Sequence, residues 1–187
     1  MILRKLNLGC GTDIRPGYVN LHAAELPGVD VAHNIEKLPL PFRGGEFDEI
    51  LALDVLEHVD YPRILKDLHR ILAPGGRLIV RVPHFTSRNN YVDPTHKSRF
   101  ALSTFDFFTE GSRVNKEKGR AYYFDFKFSH IASRRITFEK HMPLIRTIHR
   151  FLVEPLVNSS RGMQDLYEAT GFSRWFPAQN IEVTLTK

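Results

Sequence analysis

Short apolar runs separated by turn-forming residues dominate the first third of the chain. The runs "ILRKLNL", "YVNLH" and "VDVAHN" have the length and composition of short strands, and they lie too close together for a long helix between them. The longer run "FDEILALDVL" follows the turn-like "FRGGE" and is apolar at most positions. This pattern is typical of a strand buried on both faces of a parallel sheet.

One segment has helical periodicity. In "YPRILKDLHRIL" the apolar residues recur at the spacing of one helix face, and they are Ile64, Leu65, Leu68, Ile71 and Leu72. Pro62 would stand in the first turn, and Gly75 and Gly76 follow the end. The strand-like "RLIVRVP" comes next, so strand, helix and strand alternate as a parallel, helix-covered sheet requires.

The second half is less regular. From about residue 84 to 120 the chain is polar and rich in aromatic residues, which predicts an insert or lid over the sheet edge. The segments "AYYFDFKFSHI" and "RRITFEK" then favour strands, "PLIRTIHRFLVEPLV" a helix interrupted by Pro155, "GMQDLYEATGF" one or two further helical turns, and "NIEVTLTK" a closing strand. We expect one domain over residues 1–187.

Composition narrows the class of protein. With 187 residues, 42% of them hydrophobic, the chain suits a single core. Cys10 is the only cysteine, so no intramolecular disulfide can form and a reducing, cytoplasmic setting is expected. We find neither a signal peptide nor an apolar run of the roughly 20 residues that a membrane span needs.

Charge is unevenly distributed along the chain. Residues 1–60 carry five Lys and Arg against ten Asp and Glu, whereas residues 61–187 carry twenty-one against eleven, for a net charge of +5. A basic second part attracts anions, nucleic acid among them. The interleaved basic and aromatic residues of "KEKGRAYYFDFKFSHIASRR" leave an RNA-binding alternative open, although a hairpin with its aromatic face on the core is the favoured interpretation.

A glycine turn follows the first strand. Gly9 and Gly11 allow the backbone to turn tightly beside a ligand. A dinucleotide-binding fingerprint needs a third glycine, and Ile14 stands in its place. NAD binding is therefore not predicted.

Four segments in order resemble the class I S-adenosylmethionine-dependent methyltransferases, of the small methyltransferase-domain type. They are "LNLGCGTD", "LPLPF", "FDEILALDVLEHV" and "LHRILAPGGRLIVRVPH", which extend from about Lys5 to Pro83, and "DPTHKSRF" and "TFDFF" continue the resemblance more weakly. The resemblance implies an α/β, Rossmann-like fold: a mostly parallel sheet with helices on both faces and an antiparallel closing strand. It also implies S-adenosylmethionine as cofactor.

The resemblance maps a cofactor site onto the first three strands. It implies contacts from Asn7, Gly9, Cys10, Gly11, Thr12, His22, Asn34, Ile35 and Asp54. In the family an acid usually binds the ribose hydroxyls, where this chain has His22, and another accepts from the adenine amino group, where it has Asn34. Asn7 likewise stands where many members carry Asp. A neutral imidazole at His22 can accept one hydrogen bond, and Glu25 could reach back towards the ribose. These replacements leave open a binding or regulatory module that has lost turnover.

Residues after the fourth and fifth strands are candidates for the chemistry, because ligands bind beyond the carboxyl ends of parallel strands. Asp54, Glu57 and His58 follow the fourth strand, and the resemblance implies that Glu57 and His58 shape the loop below the cofactor. We predict His84 and His96 as catalytic bases.

The segment "YVDPTHKSRF" is predicted to recognise the methyl acceptor. Tyr91, Asp93, Lys97 and Arg99 are the candidate contacts to a small polar or anionic molecule. A metal site from His84, Asp93 and His96 matches no known ligand spacing, so none is predicted. The predicted function is methyl transfer to such an acceptor, with the inactive module and an RNA methyltransferase as alternatives.

Overall fold

The computed structural model describes residues 4–139 and 143–187. Its seven strands form one sheet in the order β3-β2-β1-β4-β5-β7-β6. The strands are β1 Lys5–Leu8, β2 Val19–His22, β3 Val31–Ala32, β4 Phe47–Leu53, β5 Leu72–Pro83, β6 His130–Phe138 and β7 Ala178–Thr186. Strands β1 to β5 pair in parallel, whereas β7 is antiparallel to both β5 and β6. The predicted Rossmann-like, mostly parallel sheet with an antiparallel closing strand is confirmed.

Helices surround the sheet. They are α1 Tyr61–Ile71, α2 Asn89–Val92, α3 Arg113–Lys118, α4 Pro143–Ile148, α5 Glu154–Val157, α6 Arg161–Ala169 and α7 Phe172–Trp175. A π-helical segment, His149–Val153, joins α4 to α5, so that Pro155 stands in the first turn of α5 where its missing N–H costs little. Among the described residues, no helix combines the length and the apolar composition that crossing a membrane would take.

Helix α1 agrees with its predicted limits. It buries Ile64, Leu65, Leu68 and Ile71 against the sheet, as the spacing of apolar residues indicated. Its buried Asp67 accepts a hydrogen bond from the Leu40 amide at 2.8 Å and pairs with Arg70 at 2.6 Å. The helix thereby carries the chain from β4 to the adjacent parallel strand β5 and fixes the loop before β4.

The connection from β1 to β2 contains no helix, although parallel strands are usually joined by one. Buried Asn20 organises this loop. Its Oδ1 accepts from the Arg15 amide at 3.0 Å, its Nδ2 donates to the Arg15 and Tyr18 carbonyls at 3.2 Å each, and its backbone amide donates to Asp30 at 2.7 Å. Side-chain hydrogen bonds therefore hold the glycine turn at the edge of the sheet.

The aromatic part of the insert belongs to the core. Phe100, Phe105, Phe108 and Phe128 are 0–1% exposed. The predicted strand "AYYFDFKFSHI" is wrong for most of its length, because residues 121–123 form a 3₁₀ turn and β6 begins only at His130. Its alternating phenylalanines are buried by packing against neighbouring aromatic rings rather than by pairing with another strand. The favoured interpretation, aromatic side chains on the core, holds for Phe126 and Phe128.

Candidate functional site

A polar cavity of about 550 Å³ opens at the carboxyl ends of β4 and β5. Its lining comprises Asp54, Glu57, His58, Arg81, Pro83, Asn89, Val92, Asp93, His96, Thr137, Gln179, Asn180 and Glu182. This is the edge at which parallel sheets bind ligands. Four carboxylates and one arginine make the cavity predominantly acidic.

The two glycines of the turn have different roles. Both have left-handed backbone, with φ of 66° at Gly9 and 52° at Gly11. A Cβ on Gly9 would lie 2.6 Å from Cγ2 of Val55, so glycine permits the turn to pack directly on the residue after Asp54. A Cβ on Gly11 would meet no atom of the described residues within 4 Å. The space beside Gly11 is thus open to a ligand.

His22 lies at the end of β2 and contacts the glycine turn. Its Nδ1 accepts a hydrogen bond from the Gly11 amide at 3.3 Å. In the neutral ring the proton is therefore on Nε2, which can only donate. The expectation that His22 accepts a hydrogen bond from a ribose is corrected: the accepting nitrogen is already used within the protein, and a ribose oxygen would have to accept from Nε2.

The other predicted cofactor contacts differ in burial and in their hydrogen bonds. Asn7 is 3% exposed, and its Nδ2 donates to the Asp13 carbonyl at 2.7 Å, so it supports the turn from below. Burial raises the pKa of the Cys10 thiol, in keeping with a packing residue. Thr12 and Glu25 are exposed, and Ile35 packs partly on the core.

Asn34 is exposed after β3, with Oδ1 accepting from the Glu36 amide at 2.9 Å. That bond orients the side chain and leaves its amide hydrogens available. Because Oδ1, the atom expected to accept from the adenine amino group, already accepts this bond, the contact of Asn34 with an adenine stays a prediction.

Asp54 is a strained residue at the mouth of the cavity. It has φ of 57° without being glycine, a conformation that is uncommon for other residues and concentrates at functional sites. Its carboxylate pairs with Arg81 of β5, and its amide donates to the Arg81 carbonyl at 2.9 Å. These contacts hold the end of β4 against β5.

Glu57 and His58 form a 3₁₀ turn directly after Asp54 and Val55. Glu57 is 1% exposed, and burial raises its pKa to about 7. Among the described residues, its Oε2 has no hydrogen-bond partner. His58 Nδ1 lies 2.8 Å from Oγ1 of Thr95, in the insert.

His96 faces this turn from the insert. Its side chain is 6% exposed, its Nδ1 has no partner among the described residues, and burial lowers its pKa. The rings of His58 and His96 meet edge to face with centroids 4.7 Å apart. The amides of Lys97 and Ser98 donate to the Glu57 carbonyl at 2.7 and 3.2 Å, which locks the two segments together.

His84 does not support the base role expected for it. The residue is 0% exposed and does not line the cavity. Its Nδ1 lies 2.7 Å from Thr86 Oγ1 and its Nε2 3.1 Å from Glu168. Both nitrogens are occupied, so the ring anchors the end of β5 to α6.

The predicted acceptor residues divide into two groups. Asp93 and His96 line the cavity. Lys97 instead pairs with Glu36 at 2.9 Å, and Arg99 lies over the exposed ring of Tyr91 at 5.1 Å, so none of these three lines it. Sequence reasoning missed Arg81, which lies on β5 beside Asp54, and Gln179 and Glu182, which reach the cavity because β7 pairs with β5.

The comparisons with known proteins agree with this geometry. The family model described as "Methyltransferase domain" matches residues 4–80. The glycine turn, Asp54 and the Glu57 turn all lie within the matched region.

Similarity to named proteins is local in sequence and extends over the chain in fold. The chain is 38% identical over 74 residues to a demethylmenaquinone methyltransferase of Thermus thermophilus, covering 37% of this chain and 34% of that protein. It is 32% identical over 100 residues to the mouse "Probable tRNA methyltransferase 9B", covering 44% of this chain and 22% of that one. The matched region thus spans 34% of the length of the first relative and 22% of the second.

A solved structure described as a SAM-dependent methyltransferase from Archaeoglobus fulgidus has a similar fold. It is 18% identical, the TM-score is 0.59, and the match covers 99% of this chain and 86% of that chain. The likeness shows the fold. The family model supports the predicted resemblance to the S-adenosylmethionine-dependent methyltransferases over residues 4–80.

The turn has room for S-adenosylmethionine, but the contact at the ribose position is altered. The open space at Gly11 gives room for a ligand beside the backbone, whereas the ribose position offers an imidazole donor in place of a carboxylate.

Proposed function

We propose that the protein transfers the methyl group of S-adenosylmethionine to a small polar acceptor bound in the cavity at the ends of β4 and β5. One observation carries this proposal. The glycine turn packs on Val55, and the preceding residue, Asp54, lines the cavity. A cofactor at the turn and an acceptor in the cavity would thus be neighbours across the end of β4.

The cofactor supplies an electrophilic methyl group on a sulfonium, and the protein has mainly to align the acceptor and exclude water. Gly11, His22, Asn34 and Asp54 would hold the cofactor. Arg81, Asp93 and His96 are placed to contact the acceptor. Of the two predicted bases, His96 alone faces the cavity.

The charge of the cavity narrows the acceptor class. Asp54 is paired there with Arg81, and Asp93 and Glu182 add two carboxylates. Glu57, whose pKa is raised to about 7, is partly ionised at neutral pH, while Lys97 is paired elsewhere with Glu36. A neutral or cationic acceptor is therefore favoured over the anionic one included in the sequence-based prediction.

Turnover can be tested by following conversion of S-adenosylmethionine to S-adenosylhomocysteine with panels of neutral, cationic and anionic acceptors. The proposal expects conversion with neutral or cationic polar compounds and its loss in Asp54→Ala. Conversion only with anionic compounds would contradict the acceptor class.

The same assay tests the module that has lost turnover, which the His22 contact with Gly11 favours. Tight cofactor binding without conversion by any acceptor would support that module over the enzyme.

The alternative of an RNA methyltransferase is based on the basic second part of the chain and on the similarity to a probable tRNA methyltransferase. Two of its arginines, Arg134 and Arg135, are paired with Asp106 and Glu154, which leaves less free charge for phosphates.

A further inference from the structure

Three side chains with metal-binding atoms converge on one wall of the cavity. One ligand atom each from Glu57, His58 and His96 lies within 4.8 Å of the other two. Two of the three residues have a buried acceptor without a hydrogen-bond partner in the part of the chain that the structure describes, Oε2 of Glu57 and Nδ1 of His96. A buried acceptor without a partner is costly, so a fold that keeps two of them side by side calls for a ligand there.

The hydrogen bonds around His58 fix which nitrogen is free. Thr95 Oγ1 donates to Oδ1 of Asp93 at 2.6 Å, since a carboxylate only accepts. The same hydroxyl oxygen must then accept from Nδ1–H of His58, 2.8 Å away. The lone pair of the neutral ring is therefore on Nε2, and the chain from Asp93 through Thr95 to His58 has the form of the outer-shell contacts that orient metal-binding histidines.

His96 is oriented in the complementary sense. Its Nε2 lies 3.8 Å from Oδ2 of Asp93, which favours the proton on Nε2 and the lone pair on the unpartnered Nδ1. Asp93 thus lies outside the cluster and orients both histidines, His58 through Thr95 and His96 by its own carboxylate. Each ring presents one lone pair, and Glu57 adds a carboxylate oxygen.

The backbone holds these residues in place without a ligand. Glu57 and His58 share one 3₁₀ turn, and the carbonyl of Glu57 accepts from the amides of Lys97 and Ser98, next to His96. Metal bonds of about 2.0–2.2 Å put neighbouring ligand atoms about 3–3.5 Å apart. Side-chain rotations that move each ligand atom by about 1 Å would bring the three atoms to that spacing.

We propose that Glu57, His58 and His96 bind one divalent transition-metal ion, such as Zn²⁺, on the wall of the cavity. Two imidazoles and one carboxylate form a ligand set typical of sites that keep open coordination positions for water or substrate. The sequence spacing concealed it, because His96 lies 38 residues beyond His58 and His84, considered in its place, is bound to Glu168. His96 would then act as a ligand rather than as a base.

The experiment is a titration of the chelator-treated full chain with Zn²⁺ by calorimetry, and with Co²⁺ by visible absorption, which reports nitrogen and oxygen ligation. The proposal expects one ion per chain and a rise in thermal midpoint with Zn²⁺. Glu57→Gln, His58→Gln and His96→Gln should each weaken binding at least 100-fold. Thr95→Val, which leaves all three ligands in place, should weaken it about 10- to 100-fold.

His130→Gln is the matched control, because His130 is an exposed imidazole on β6 with no place in the cluster. It should bind as the parent does. Absence of stoichiometric binding by the parent, or retention of it in all three ligand variants with unchanged melting curves, would overturn the proposal. Cofactor binding is measured separately, so either result stands apart from the proposed methyl transfer.

Discussion

The glycine turn and the Glu57–His96 wall are both polar and both lie at the carboxyl edge of the sheet, but their hydrogen bonds are completed differently. At the turn, Asn7, Asn20 and His22 are bonded to neighbouring protein groups. At the wall, Glu57 and His96 each keep a buried acceptor that has no partner within residues 4–139 and 143–187.

This difference indicates that the two regions recognise a ligand in different ways. The turn is complete without a ligand and offers open space, so a molecule that binds there is recognised by fit to a rigid backbone. The wall has two buried acceptors without partners among the described residues, so a ligand that binds there must form a bond with them.

Filling the open side of the turn should abolish cofactor binding. Gly11→Val meets no protein atom at Cβ, so the chain should fold, while the side chain occupies the ligand's space. We expect at least a 1,000-fold loss of affinity for S-adenosylmethionine, about 4.1 kcal/mol, by calorimetry. Gly17→Val is the matched control, because Gly17 also has positive φ, 80°, and open surroundings in the same loop. An equal loss in both variants would show that strain, not occupied space, is responsible.

Removing the residue that organises the turn should damage the fold itself. Asn20→Ala leaves the Arg15 amide without its acceptor and removes the side-chain donor to the Tyr18 carbonyl, while the Arg15 carbonyl keeps the Tyr18 amide as a donor. Unsatisfied buried groups cost about 1–3 kcal/mol each, and partial access of water should limit the total loss to about 2–4 kcal/mol. Urea unfolding measures it. A loss below about 1 kcal/mol would show that the loop does not depend on this side chain.

Restoring an acid at the ribose position should strengthen binding. In His22→Asp one carboxylate can accept from the Gly11 amide and from a ribose hydroxyl, whereas the imidazole can accept only the first. A gain of about tenfold, or 1.4 kcal/mol, is expected in the same titration. Weaker binding would mean that the Nε2 donor of His22 contributes more than a carboxylate does.

The exposed charges of the insert should matter least. Lys97 and Glu36 form an exposed pair, with side chains 57% and 45% exposed, and Arg99 lies over the exposed Tyr91 ring. Lys97→Ala and Arg99→Ala should each change stability by less than about 1 kcal/mol and leave cofactor affinity unchanged. A drop of several kcal/mol in thermal melts would show that these side chains pin the insert to the sheet.

Local pattern predicted the parts of the molecule that depend on local physics. The apolar spacing of α1, the buried run of β4 and the glycines of the turn each have one favourable structure, and each is found. The segment around Phe126 failed because alternation indicates burial without saying what covers it.

The site depended on distant pairings that no local pattern contains. His84 is separated by 84 residues from Glu168, which occupies its Nε2, and Glu57 meets His96 only through the hydrogen bonds of the insert. The residues were therefore recognised as chemically capable, but their partners, and hence their roles, could be assigned only once the chain was folded.

The central claim is that the glycine turn still binds S-adenosylmethionine although its neighbouring acids are replaced by His22 and Asn34. Calorimetric titration of the unmodified chain with S-adenosylmethionine tests it most directly. The account predicts saturable binding of one molecule per chain that S-adenosylhomocysteine competes away. A titration without saturable heat, together with an unchanged thermal midpoint in excess cofactor, would contradict it.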